Sequence, residues 1–218
     1  VAERVAVVDY GAGNLRSVAK AVETVARDAG RPVQVIVTAS AETIRAVDRI
    51  VLPGVGAFGQ CAAALRALPD MEAALRERVL DQGVPFLGVC VGMQLLARRG
   101  SEHGNHQGLG WIPGEVVRLE PSDPALKVPH MAWSPVRLTL PGLEHGALKG
   151  IEDGGQAYFV HSFRFAPADR AHLLGVADYG GEVAAIVGRD NILGVQFHPE
   201  KSQAYGLTFL RSFLNWLP

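Results

Sequence analysis

The chain predicts an α/β fold: one open, mostly parallel twisted sheet with helices on both faces and an antiparallel extension, spanning residues 1–218 as a single domain. Three observations carry this. Short apolar runs alternate with amphipathic stretches through the first ninety residues. Six further strand-like runs then follow one another, separated by glycine turns. A closing amphipathic segment runs from about Gln203 to Leu217. Strand–helix alternation builds a parallel sheet, because each crossover needs a helix to return the chain to the same edge. Consecutive short strands with tight turns build antiparallel pairs.

Taken in order, residues 4–8 (Arg-Val-Ala-Val-Val) read as a buried strand. Residues 15–29 have helical spacing, with Asn14 placed to cap them. Residues 33–37 form a second strand, and Ser40 caps a short helix. Residues 49–52 form a third strand, which Pro53-Gly54-Val55-Gly56 breaks. Residues 71–81, rich in Ala, Leu, Glu and Arg, read as a helix, and 85–89 as a fourth strand. The later runs are 114–119, 136–140, 157–163, 173–177, 183–187 and 192–197, with Gly154-Gly155 and Gly180-Gly181 as turn signals. They are expected to extend the same sheet. Residues 101–110 are polar and glycine-rich and read as a mobile loop.

Composition excludes several classes. The 218 residues are 48% hydrophobic, enough for a full core, and carry 21 basic against 22 acidic side chains, a net charge of -1. That balance implies no nucleic-acid partner. No apolar stretch approaches the roughly 20 residues of a membrane span. The first strand follows Val1-Ala2-Glu3 directly, so no signal peptide is expected. Two cysteines, Cys61 and Cys90, make no disulfide framework, and a reducing cytoplasmic location follows as the default.

The densest signal is Pro85-Phe86-Leu87-Gly88-Val89-Cys90-Val91-Gly92-Met93-Gln94. An apolar run ends at a thiol flanked by glycines at minus two and plus two, and an amphipathic stretch follows. This is the layout of a nucleophile elbow, a sharp strand-to-helix turn that presents one side chain above the sheet. A thiol at a helix N-terminus gains thiolate character. Ligands in open parallel sheets bind beyond the strands' carboxyl ends, where Cys90 and the Gly54 loop both fall.

A second signal is Gly194-Val195-Gln196-Phe197-His198-Pro199-Glu200. In extended chain, residues two apart share a face, so Glu200 can reach the His198 ring, fix its tautomer and leave the other nitrogen as a neutral base. Cys90, His198 and Glu200 then form a candidate triad of nucleophile, proton shuttle and orienting carboxylate. The Val91 N–H, just past the nucleophile, is one oxyanion donor. The Pro53-Gly54-Val55-Gly56 loop, at Val55, supplies a second, its glycines permitting a peptide to reorient.

These motifs together resemble the class I, triad-type glutamine amidotransferases, and the resemblance covers nearly the whole chain. It is nearer still to the glutaminase subunits of imidazole glycerol phosphate synthase. The segments are Asp9-Tyr10-Gly11-Ala12-Gly13-Asn14, Leu52-Pro53-Gly54-Val55-Gly56-Ala57-Phe58-Gly59, His130-Met131-Ala132-Trp133, Tyr158-Phe159-Val160-His161-Ser162 and His198-Pro199-Glu200-Lys201-Ser202. The resemblance implies a flavodoxin-like sheet and a reaction. Cys90 attacks the side-chain amide of glutamine, ammonia leaves, and water releases glutamate from a thioester. It implies that Gly56, Gln94, Ser162 and Phe163 hold the substrate. It implies docking on a β/α-barrel cyclase as a heterodimer, with Asn14, Met131, Trp133 and Lys201 facing that partner, and ammonia passing through the barrel to form imidazole glycerol phosphate. No cofactor and no metal are implied. Four positions depart from the usual pattern: Ala132 for glycine, Ser134 for asparagine, Val91 for leucine and Phe163 for tyrosine.

Three rival readings stay open at this stage. One is a glutaminase subunit of the anthranilate synthase type, against which Met93 stands where histidine is usual. Another is a stand-alone cysteine hydrolase of γ-glutamyl or peptide bonds. The last is a non-catalytic binding subunit, which the intact Cys90, His198 and Glu200 disfavour. Gly11-Ala12-Gly13 is not a dinucleotide loop, since the third glycine would fall at Arg16. His103 and His106 have no ligand-spaced partners for a metal. Cys61 reads as helix packing, and His161 as a residue near the pocket or a core histidine.

Overall fold

A computed structural model describes residues 2–218. Nine strands form the main sheet: β1 (Glu3–Val8), β2 (Val33–Thr38), β3 (Arg49–Gly54), β4 (Phe86–Cys90), β8 (His130–Leu138), β9 (Gly155–His161), β11 (Leu173–Asp178), β12 (Glu182–Arg189) and β13 (Ile192–Val195). Their order is β2-β1-β3-β4-β13-β12-β11-β8-β9. The first five are mutually parallel and the rest antiparallel. The expected parallel sheet with an antiparallel extension is therefore present.

The crossovers carry α1 (Leu15–Asp28), α2 (Ala41–Arg45), α3 (Phe58–Ala67) and α4 (Met71–Arg76). The chain steps outward from β1 to β2 and then inward to β3 and β4. Right-handed crossovers in opposite directions put α1 on one face and α2 to α4 on the other. On α1, Val18, Val22 and Val25 with Ala21 and Ala26 form the buried stripe at helical spacing. The strands of the parallel half, covered on both faces, are buried throughout at β3 and β4. The closing helix α7 (Gln203–Asn215) packs on α1.

Several expectations need correction. The third strand runs on through Pro53 and Gly54, because parallel pairing with β4 continues to Gly54↔Cys90. Asn14 stands at the N-cap of α1, but its side chain makes no capping bond there; Ser40 does cap α2, accepting from Thr43 N at 3.3 Å. The helix over 71–81 changes hydrogen-bond period after Arg76 and ends in a π turn, with Gln82 N donating to Glu77 O. The run 157–163 is two strands, not one. It bends at Ser162, leaving the main sheet and entering a separate four-stranded sheet. That small sheet is ordered β10 (Phe163–Pro167), β7 (Gly114–Arg118), β5 (Arg99–Gly100), β6 (His106–Gln107), so residues 114–119 do not extend the main sheet either. Residues 101–110, read as mobile, contain β6 and are pinned by Leu109 N to Leu95 O and Gly110 N to Ala97 O. Local apolar patterning says that a segment is a strand, not which sheet it joins.

Candidate active site

The sheet register assembles the site. β3, β4 and β13 are adjacent and parallel, with Gly54 opposite Cys90 and Val195 opposite Val89. The three chains leaving their carboxyl ends therefore emerge side by side. They carry the Val55–Gly56 loop, the Cys90 turn and the Gln196–Glu200 segment.

Cys90 has φ 55° and ψ −111°, a conformation that L residues rarely adopt. The flanking glycines are there because nothing larger fits. A Cβ on Gly92 would lie 1.8 Å from Leu52 O, one on Gly88 2.5 Å from Gly92 O, and one on Gly54 2.6 Å from the Tyr10 hydroxyl. The helix that follows, α5 (Val91–Gln94), is a single turn. Its dipole is thus weaker than the amphipathic stretch suggested. Cys90 is 4% exposed and opens on a pocket of about 320 Å³.

His198 and Glu200 meet, with Nδ1 2.9 Å from the carboxylate Oε1. The local geometry differs from the extended chain expected. Pro199–Lys201 is a 3-10 turn, closed by Lys201 N on His198 O at 3.0 Å, and the turn, not strand alternation, brings the two side chains together. Ser202 Oγ donates to His198 O and accepts from Tyr158 N, clamping the turn to β9. His198 Nε2 is buried with no protein hydrogen-bond partner, as is Glu200 Oε2. Burial pushes the imidazole down. Cys90 close by, and the Glu200 carboxylate on Nδ1, more than offset that and hold it up to about 9. The ring is therefore protonated at neutral pH, where a neutral base was expected.

The pocket is lined by His198, Cys90 and Val91, by Val55 and Gly56, and by Gln94, Ser162 and Phe163. Every catalytic, oxyanion and substrate residue singled out from the sequence lines it, except Glu200, which lies behind His198. Gln94 Nε2 donates to both Phe163 O and Gln196 Oε1, each at 3.0 Å, and Gln196 Nε2 lies 3.7 Å from Cys90 Sγ. The Gln94 amide nitrogen is fully used, so the group it can offer a ligand is its carbonyl oxygen.

Sequence reasoning missed Glu102, Pro129 and Val160 in the lining, and Gln196 behind it. Glu102 caps α3 by accepting from Phe58 N at 2.8 Å across 44 residues, a contact with no local signal. Two further residues hold the glycine loop: Tyr10 OH donates to Pro53 O at 2.7 Å, and Cys61 Sγ lies 3.3 Å from Val55 O. Cys61 packs in α3 as expected, and its thiol also engages this carbonyl.

Asn14, Met131, Trp133 and Lys201 are all exposed, Met131 at 60% and Trp133 at 45%. The Trp133 ring meets Tyr158 edge-on at 5.8 Å, and Lys201 Nζ lies 5.8 Å above the same tyrosine. Among the described residues no His, Cys, Asp and Glu group is placed to hold a metal, and no helix is long and apolar enough to cross a membrane.

Residues 6–215 match the family model described as glutamine amidotransferase class-I. The chain belongs to the class-I glutamine amidotransferase family. Among curated proteins, this amidotransferase is 56% identical over 216 residues to the imidazole glycerol phosphate synthase subunit HisH of Zymomonas mobilis, covering 98% of this chain and 96% of that one. It is 53% identical to the subunit of the same name from Rhodospirillum rubrum, covering 99% and 100%. A solved structure titled glutamine amidotransferase superposes with a TM-score of 0.70 at 18% identity, over 97% of each chain, a likeness that bears on the fold alone.

Proposed function

We propose that this amidotransferase is the glutaminase subunit of an imidazole glycerol phosphate synthase, one domain over residues 1–218. The observation that carries the reading is a strained thiol opening on the same pocket as a buried His–Glu pair, in a chain about half identical over its whole length to HisH subunits.

The reaction begins as Cys90 passes its proton to His198, leaving a thiolate beside an imidazolium. The thiolate attacks the side-chain carboxamide carbon of glutamine. Negative charge moves to the oxygen, where the Val91 N–H and the Val55 segment of the glycine loop face it. Imidazolium gives its proton to the departing nitrogen, ammonia leaves, and a thioester remains. Neutral imidazole then takes a proton from water, hydroxide adds to the thioester, and glutamate departs as the thiolate is restored. Glu200 keeps Nδ1 protonated and Nε2 facing the chemistry throughout. The substrate's ammonium finds acceptors in the Glu102 carboxylate and the Gln94 carbonyl, while Gly56, Ser162 and Phe163 give it a backbone wall.

The ammonia passes to a β/α-barrel cyclase that docks as a heterodimer over Asn14, Met131, Trp133 and Lys201. Free in water it would mostly be captured as ammonium and lost. The complex works in the cytoplasm, needs no cofactor or metal for the glutaminase half, and engages neither nucleic acid nor membrane.

Cys90→Ala is the test. Assembled with the cyclase, the variant is expected to lose glutamine-dependent imidazole glycerol phosphate formation while keeping the ammonia-dependent reaction. Loss of both, or retention of both, contradicts the division of labour.

A further inference from the structure

Two buried histidines stand in line at the pocket, His161 in its lining and His130 behind it. His130 opens β8 with 0% exposure, its ring stacked on Phe159 at 4.8 Å and on Tyr179 at 3.9 Å. Its Nδ1 lies 3.1 Å from His161 Nε2, and its Nε2 lies 2.9 Å from Ser134 Oγ. His161 Nδ1 lies 2.8 Å from the carbonyl oxygen of Phe163, and His161 itself lines the pocket.

The polarity of this chain follows from one atom. A carbonyl oxygen only accepts, so His161 Nδ1 carries a proton. Burial holds His161 down to about 4, against the Phe163 carbonyl bond that raises it and with the charge of His198 that lowers it further. Burial and then His161 hold His130 to about 4 as well. Both rings are neutral at pH 7. His161 Nε2 is then bare and accepts from His130 Nδ1–H, and His130 Nε2 is bare and accepts from the Ser134 hydroxyl.

The Phe163 carbonyl takes a second donor, Gln94 Nε2, so both its lone-pair directions are filled. The peptide it belongs to, 163–164, lies just past the corner at Ser162. Leu119 N donates to Ser162 O at 2.9 Å, which turns the backbone groups of the next residue, Phe163, away from β7. Nothing in the small sheet holds that carbonyl; His161 and Gln94 do.

We propose that His161, oriented by His130 and Ser134, is a positioning residue for glutamine: its Nδ1–H fixes the Phe163 carbonyl, and with it the 163–164 peptide and the Gln94 amide against which the substrate rests. This rests on the glutaminase reading above. The wall touches the bound substrate and the transition state alike, so the contribution is uniform binding and belongs in KM, not kcat.

Two measurements on the full chain test it. In long-range proton–nitrogen correlation spectra at pH 7, His130 and His161 are both expected as neutral rings protonated on Nδ1. A proton on Nε2 of either, or an imidazolium, overturns the proposal whatever the variants do. In steady-state glutamate release by the chain assembled with the cyclase, His161→Leu is expected to raise the KM for glutamine tenfold or more with kcat within threefold. His161→Asn, whose amide N–H can reach the same carbonyl, recovers most of that affinity. An active wild type with an unmoved KM in His161→Leu, or with a loss confined to kcat, overturns the positioning role alone. A wild-type complex with the cyclase that releases no glutamate overturns the glutaminase reading and this proposal with it.

Discussion

Cys90 is held where its backbone is least comfortable, at φ 55° and ψ −111°. Such a conformation costs on the order of 1–3 kcal/mol for a side-chain-bearing residue and persists only because its surroundings impose it. Comparison of two inactive variants isolates that cost. Cys90→Gly is expected to be more stable than Cys90→Ala by about 1–2 kcal/mol in denaturant unfolding. In ordinary strand, glycine would be the weaker of the two, so equal or reversed stabilities remove the strain. A second prediction concerns His198, which is held protonated up to about 9. Alkylation of Cys90, followed by peptide mapping between pH 5 and 10, is expected to be at least ~10-fold faster at pH 7 in the wild type than in His198→Ala. The wild-type rate should change again near pH 9, as the imidazolium loses its proton. Identical profiles in the two proteins dissolve the pairing. At this scale the sequence was highly legible, since Cys90, His198, Glu200, Gln94 and Val55 all stand in local motifs. Glu102 and Gln196 were not, because their roles depend on neighbours 44 and 106 residues away.

Elements were legible where burial follows a simple local pattern. The buried strands β3 and β4 announce themselves by continuous apolar runs, and α1 by its valine stripe. The boundary at Ser162 was invisible because β9 and β10 follow one another as one strand-like run, and the bend is decided by which sheet each half joins. Another tie between elements depends on a single buried side chain. Arg49 opens β3 at 3% exposure, pairs with Glu3 of β1 at 2.5 Å, and donates to the carbonyls of Phe213 and Trp216 at the end of α7. Arg49→Ala strands two buried carbonyls and half of an ion pair whose other cation, Arg31, remains. The expected loss is about 2–3 kcal/mol of unfolding free energy. Arg49→Lys should restore less than half, since an ammonium lacks the fork that reaches all three partners. A variant with wild-type stability refutes the clasp.

Across the whole molecule, the site exists because strands distant in sequence become neighbours. β13 inserts beside β4, about a hundred residues earlier in the chain, and brings His198 into the pocket on which Cys90 opens. The same arrangement leaves Met131 and Trp133 outward on β8 while His130 and Ser134 point inward, by strand alternation. Exposed large apolar side chains beside a lysine are the features of a docking face. Trp133→Glu is therefore expected to weaken association with the cyclase about 30-fold or more, read by titration calorimetry, with the unfolding transition unchanged. Unaltered affinity moves the interface elsewhere. The sequence by itself determined the fold class, the elbow and the residues of the proposed chemistry, because backbone sterics, apolar period and flanking glycines act over a few residues. Only the tertiary structure decided the turn that joins His198 to Glu200, the protonation of His198, the second sheet, and the relay from Ser134 to Phe163. Each depends on burial and on hydrogen-bond partners that the chain supplies only after it has folded back on itself.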